Sequence, residues 1–330
     1  MREITYVEAL NEALKEEMRR DERVIVMGED VQLGYSGRGG LFLVTADLMR
    51  EFGPERVRDT PISEEGFVGA AIGAAITGLK PVVEIMYADF LLCCMNQIVN
   101  VAAKLRYSTG GQLKVPIVIR TMIGQGRGVG SDHSQVPIAW FMNIPGLKVV
   151  VPSTPYDAKG LLKSAIRDES PIMFFESFLL YRTKGFVPTE EYTVPLGEAD
   201  VKRKGTDITI VAISTMVPRA LLAAKKLKEE FNIDAEIIDP RTLVPLDKKT
   251  IINSVMKTNR LIIVESGVKT CGIGAEIASI VAEEAFDYLD APIKRVAAPH
   301  IPAPASPALE QLTIPSENDI IRAVREILQG

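Results

Sequence analysis

DTPISEEGFVGAAIGAAITGLKPVVEIMYADF, residues 59–90, decides the fold class. Ser63 is a favoured N-cap residue, and Glu64 and Glu65 follow it in the first turn, where carboxylates complement the positive end of a helix dipole. The residues after them are nearly all small, and Gly66, Gly69 and Gly73 fall on roughly one face, which permits close packing against another backbone. Pro81–Tyr87 is then an apolar run of strand length. A strand end, a helix and a buried strand in succession are the unit of a parallel sheet covered by helices on both faces.

The same alternation extends outward. Val24–Met27, Val115–Thr121, Leu147–Val151 and Ile172–Phe175 read as further buried strands, with helical patterns near 5–20, 64–78, 89–107 and 155–168. These make one α/β domain over residues 1–176. Residues 177–206 lose the periodicity and read as a linker with some strand content. A second, smaller α/β domain is expected over 207–330. Its strands are predicted at Asp207–Ile213, Ala235–Ile238, Arg260–Glu265 and Ile293–Ala297, and its helices at 217–231, 247–258, 273–289 and 316–328. IPAPASPALE, ahead of the last helix, is expected to lie over the surface as an ordered arm. Two domains suit 330 residues.

Composition closes several functional classes. The net charge is −5, and no basic run tracks a phosphate backbone, which sets nucleic-acid binding aside. The uncharged stretches 66–79 and 90–103 fall short of the roughly 18–20 apolar residues of a membrane span. MREITYVEALNEALKEEMRR carries both charge signs and no apolar core, so no signal peptide is expected. Cys93, Cys94 and Cys271 form no CxxC pair; they are expected to be buried thiols of a cytoplasmic protein, not a disulfide framework or a zinc site. The Gly124-Gln-Gly126-Arg-Gly128-Val-Gly130 stretch has period two and does not match a dinucleotide fingerprint.

Three segments can carry chemistry. Glu64 and Glu65 either face water or lie at the carboxyl edge of the sheet, where ligand sites of α/β proteins form and where shielding would hold a proton on a carboxyl group. Phe90, at a strand end, is core filler or a pocket wall. His133 closes the glycine-rich loop and is one of only two histidines; it is a solvated side chain or a proton-handling group.

DTPISE (59–64), EIMYADF (84–90) with QIVNVAAK (97–104), DHSQ (132–135) and PGLKVVVPSTPYDAKGLLKSAIRD (145–168) together resemble the β subunits of thiamine-diphosphate-dependent 2-oxo acid dehydrogenase E1 components. The GIGAEIASIVAEEAF segment is similar to a transketolase-type C-terminal domain. The resemblance implies a pyrimidine-binding domain followed by that C-terminal domain. It implies that Glu64 hydrogen-bonds N1′ of the cofactor's aminopyrimidine and so promotes loss of the thiazolium C2 proton. Ile62, Met86 and Phe90 would line that ring. His133 would act in steps involving the lipoyl acceptor. A potassium site of some relatives maps, mostly through backbone carbonyls, onto Ile117, Ala165, Ile166, Asp168 and Ser170, with Ser170 replacing an Asn often found there.

No Gly-Asp-Gly occurs in the chain. The family places that Mg²⁺-holding end of the cofactor site on a separate α subunit, so an α2β2 heterotetramer is implied, serving a lipoyl acyltransferase E2. Pyruvate is the first expectation for substrate, with acetoin and branched-chain 2-oxo acids as alternatives that share the motifs. A non-catalytic scaffold that positions E2 is the alternative of another class; Glu64 and His133 weigh against it, because a scaffold needs neither.

Overall fold

The computed structural model describes residues 1–34 and 36–329. The chain divides into two compact units. The first holds residues 1–124 and 140–196, the second 125–139 and 197–330. Residues 125–139, within the span expected for the first domain, therefore group with the second unit. The expected linker divides between the two.

In the first unit the strands are Arg2–Thr5 (β1), Val24–Gly28 (β2), Val57–Asp59 (β3), Lys80–Ile85 (β4), Val118–Ile123 (β5), Lys148–Val150 (β6), Ile172–Ser177 (β7) and Lys184–Val187 (β8). The central sheet runs β6-β7-β5-β4-β2-β3, with every pairing parallel. β2, β4, β5 and β7 are almost wholly buried, the signature of a sheet covered on both faces. β5 begins at Val118, later than the pattern suggested. Pro116 has no N–H to give the ladder, and the Ile117 amide turns back onto Val115 O at 2.8 Å. β8, from the expected linker, pairs antiparallel with β1.

Helix Tyr6–Arg20 starts with a capping box between Thr5 and Glu8, and Pro155–Arg167 starts with Thr154 as N-cap and proline in its first turn. The two helices join through charge. The ammonium groups of Lys159 and Lys163, whose side chains are 1% exposed, reach Glu16 at 2.6 Å each. The helix expected over 89–107 is instead a tight 3₁₀ turn at Ala88–Cys94, a widened π turn at Gln97–Ala102 and an α-helical end at Ala103–Ser108. Apolar periodicity does not distinguish these windings, which differ by one residue per closed turn.

The second unit contains Asp200–Arg203 (β9), Ile208–Ala212 (β10), Ala235–Asp239 (β11), Thr242–Val244 (β12), Leu261–Val268 (β13) and Lys294–Ala298 (β14). Its main sheet runs β14-β13-β10-β11-β9, with only β9 antiparallel. Helices Met216–Phe231 and Glu317–Gln329 pack on it. The proline-rich arm ends in a short helix, Pro307–Thr313.

Cysteine burial departs from expectation. Only Cys94 is buried, and burial pushes its thiol up to about 12. Cys93 points outward from the 3₁₀ turn beside it, and Cys271 is exposed in a loop, where its φ is 52°.

Arg120, on β5, is fully buried and bridges its neighbours on either side. Its Nε and one terminal nitrogen reach Glu176 at 2.7 and 2.9 Å, the other terminal nitrogen reaches Glu84 at 2.8 Å, and Tyr181 donates to Glu176 at 2.7 Å. Burial works against the guanidinium charge, but the two carboxylates outweigh it and hold Arg120 ionised; burial also raises Glu176 despite that partner. Arg120→Leu leaves both carboxylates without their cation and is expected to cost about 3–5 kcal/mol. The Glu176 carboxyl, already raised by burial, rises further without its cation, so the loss is full at neutral pH and shrinks as Glu176 takes up a proton on acidification. Denaturant midpoints of the two proteins across pH check this; a gap that does not narrow in acid refutes it.

Candidate functional site

Three adjacent parallel strands of the first unit end side by side, with Gly28 opposite both Asp59 and Glu84. Gly28 is required there, because a Cβ would stand 2.6 Å from the Glu84 carbonyl oxygen. The chain leaves β2 through Glu29. It leaves β3 through Thr60, whose amide bonds Gly28 O at 3.0 Å. Two buried polar atoms at this edge, Glu29 Oε1 and Thr60 Oγ1, have no hydrogen-bond partner. Burial raises the Glu29 carboxyl above its ordinary value, with further contributions from Glu64 and Asp30.

Glu64 opens helix Glu64–Ile76 and is 8% exposed, while Glu65 turns outward and accepts from Gln97 at 3.3 Å. Of the two carboxylates that the sequence left open, the shielded one is Glu64. Ser63 occupies the N-cap position, but its side chain makes no capping bond. Met86 and Phe90 follow the end of β4, half-buried against the first unit's core, and the Phe90 ring packs on Tyr87 at 5.7 Å. Ile62 projects outward at 87% exposure. Glu64, Met86, Phe90 and Ile62 thus all stand at the carboxyl edge of one sheet, where ligand sites of open α/β sheets form. Glu29 and Thr60 join them; sequence reasoning missed both, and only the turn of the chain after β2 and β3 reveals them. Cys93 lies within the electrostatic reach of Glu64 and Glu29 as well.

A carboxyl group, an aromatic wall and two buried polar atoms without partners fit a flat heteroaromatic ring bearing both donors and acceptors, as the aminopyrimidine of thiamine diphosphate does. Among the described residues no group of three or more His, Cys, Asp or Glu side chains could hold a metal ion.

The residues mapped to a potassium site lie together in the first unit. Ile117 O and Ala165 O accept backbone bonds from Ile172 and Asp168 at 2.9 and 3.3 Å. The Asp168 carboxylate accepts from Lys148 at 2.5 Å and from the Ser170 amide at 2.8 Å. Its pKa is lowered, the Lys148 bond prevailing over burial. The Lys148 ammonium already supplies positive charge there, so a monovalent cation would rest on carbonyls.

His133 belongs to the second unit. Its Nδ1 lies 3.2 Å from Asp132 Oδ1, a contact that lowers the Asp132 carboxyl, and its side chain is 35% exposed. The loop that leads to it is pinned within the second unit. Gln125 donates to Ser266 O at 2.9 Å, and the amides of Gly126 and Gly128 donate to the carboxylate of Glu310 at 2.8 and 2.6 Å. Glu310 was not visible as a functional residue in the sequence, because its partners are backbone groups far along the chain.

Fold and site define the class. Residues 2–184 match the model of the transketolase pyrimidine-binding domain, and residues 197–320 that of the transketolase C-terminal domain. A solved split-gene transketolase, in an inactive β4 tetramer, superposes with a TM-score of 0.82 at 23% identity over 99% of each chain, a likeness of fold. Among curated proteins, the β subunit of acetoin:2,6-dichlorophenolindophenol oxidoreductase of Bacillus subtilis is 49% identical over 99% of this chain and 98% of its own. The pyruvate dehydrogenase E1 β subunit of Rickettsia felis is 49% identical over 98% of each chain. The 2-oxoisovalerate dehydrogenase β subunit of Bacillus subtilis is 46% identical over 99% of each. The chain belongs to this family, the β subunits of thiamine-diphosphate-dependent 2-oxo acid dehydrogenases and their acetoin-specific relatives.

The raised pKa of Glu29 has a consequence for stability. Its charge costs folding free energy above the folded-state pKa, and that cost vanishes once the group is protonated in both states. Glu29→Gln is therefore expected to raise the unfolding temperature at neutral pH by about 1–2 °C, modest because the group is only partly desolvated. The difference should close as pH falls below the ordinary glutamate range. Calorimetric unfolding of both proteins across pH tests this; a gain that grows in acid would contradict the assignment.

Proposed function

We propose that this chain is the β subunit of a pyruvate dehydrogenase-type E1 enzyme. In this reading it decarboxylates a 2-oxo acid oxidatively and passes the acyl group to the lipoyl arm of an E2 acyltransferase. The observation that carries the reading is the shielded Glu64 beside the unpartnered Glu29 and Thr60 at the carboxyl edge of the first unit's sheet. Glu64 would hold the proton exchanged with N1′ of the aminopyrimidine. Phe90 and Met86 would press on the ring and keep water from it; Ile62 would complete the wall. When bound, thiamine diphosphate supplies the carbon nucleophile that adds to the 2-oxo group and the electron sink for release of CO₂. Asp132, 3.2 Å from Nδ1 of His133, would orient the imidazole for proton exchange with the acyl acceptor.

The diphosphate and Mg²⁺ fall to a separate α chain in an α2β2 assembly, since this chain has no Gly-Asp-Gly. Potassium would sit on the carbonyls of Ile117, Ala165 and Ile166, near Asp168 and Ser170. No helix of the described residues is long and apolar enough to cross a membrane, which suits an enzyme working in solution beside E2.

Calorimetric titration of thiamine diphosphate with Mg²⁺ tests the split site. Tight binding is expected only when the α subunit is present. Tight binding to this chain alone would overturn the division of the site. In the assembled enzyme, Glu64→Gln is expected to lower turnover of pyruvate by at least about a hundredfold with the fold intact, the scale of a lost acid–base group. Near-normal turnover would remove Glu64 from its role. Acetoin and 3-methyl-2-oxobutanoate are run beside pyruvate; faster turnover of either would move the substrate assignment. His133→Ala should slow transfer to the lipoyl acceptor more than decarboxylation.

A further inference from the structure

Glu310 is a buried carboxylate of the second unit whose chemistry the reaction does not use. It is 1% exposed, yet it lies on the short helix of a proline-rich arm. Its two oxygens divide between two backbone amides: Oε1 accepts from Gly126 at 2.8 Å and Oε2 from Gly128 at 2.6 Å. Both glycines are left-handed, at φ 91° and 70°, as is Gly130 at 89°. Alternating backbone of this kind turns successive N–H groups toward one point and makes an anion-binding concavity. The period-two glycines of the sequence are therefore a nest, and its anion is the chain's own carboxylate. The arm also presses on the loop sterically, since a Cβ at Gly128 would meet Pro307 Cγ at 2.8 Å and one at Gly130 would touch Ala305.

We propose that Glu310 is a positioning residue for His133: its carboxylate clamps the nest at Gly126–Gly128 and fixes the loop from which His133 reaches the acyl acceptor. The inference rests on the proposed role of His133 in acyl transfer. Bonds to a charged acceptor are about twice as strong as neutral ones, and losing the carboxylate leaves both amides without that acceptor. A loop built on three left-handed glycines has little stiffness of its own, because glycine loses the most conformational freedom on ordering. The clamp supplies the stiffness, and small misplacement of a proton-transfer group costs rate steeply.

The test uses the assembled α2β2 enzyme with Glu310→Gln, which keeps one acceptor oxygen, and with Gly128→Ala, which disrupts the clamp from the loop side. Each is assayed twice: for substrate-dependent reduction of a dye acceptor and for acyl transfer to a free lipoyl domain. Hydrogen exchange of the peptide spanning 121–135 is followed in parallel. The proposal expects faster exchange in that peptide, acyl transfer reduced about tenfold, and dye reduction within about twofold of the parent, since Glu64 and its surroundings are untouched. Restoring acyl transfer in Glu310→Asp above the Gln level would support the carboxylate as the operative group. Unchanged exchange in Glu310→Gln, or an equal loss in both assays, overturns the proposal. His133→Ala is run beside them. If it transfers acyl groups normally, the role of His133 fails, while the exchange data still decide separately whether Glu310 holds the loop.

Discussion

Arg120 stands in the middle of the first unit's sheet with a carboxylate on each side, Glu84 on one neighbouring strand and Glu176 on the other. Three strands are tied by one guanidinium in an interior that penalises charge. The register is thereby fixed: a slip of one residue would turn Arg120, and with it the whole apolar face of β5, to the opposite side of the sheet. Hydrophobic burial would tolerate several registers among strands as uniformly apolar as these. A buried ion cluster does not, because any displacement leaves an uncompensated charge. Met86 lies two residues beyond Glu84 and Phe90 six, so fixing the register of β4 also fixes the wall of the candidate pocket.

The architecture was legible because the strands are long apolar runs and the helices amphipathic, and each pattern has its own period. The elements that escaped were short or irregular. β3 has three residues, too few for any period to show, so only its end ahead of Pro61 was read. The winding of 88–108 depends on how the chain turns after β4, and the assignment of 125–139 to the second unit depends on Glu310 and Ser266, more than a hundred residues downstream. The outward Cys93 and Cys271 escaped for a related reason: the burial habit of cysteine is a tendency of the residue type, and position within a turn overrides it.

The candidate site was legible in part. Glu64 and Glu65 are equivalent as residues, and their different fates follow from which side of a helix start faces the strand ends. The motif singled out Glu64; packing gives the physical reason. Glu29 and Thr60 carry no pattern of their own. Each is an ordinary residue one step past a parallel strand, and only pairing Gly28 with both Asp59 and Glu84 makes them neighbours of Glu64.

Several buried carboxylates elsewhere in the chain are answered by donors. Glu17 is met by Arg20 and Arg167, and Glu236 by Ser254 and Lys257. Glu265 accepts the first amides of helix Ile273–Glu284, from Ile273 and Gly274, at 2.9 and 2.8 Å. Glu310 fills its glycine nest, and Glu176 shares Arg120 with Glu84. A fold that meets each of these carboxylates with donors has the means to meet another. Glu29 differs from these: its Oε1 is buried with no donor, and the charges near it are two more carboxylates, Glu64 and Asp30. Burial without compensation costs free energy, and it persists where something else repays the cost. The position of that deficit, past the carboxyl ends of β2 and β3, is where a ligand with its own donors would enter. That deficit points to a binding site here without reference to the motif that first suggested one.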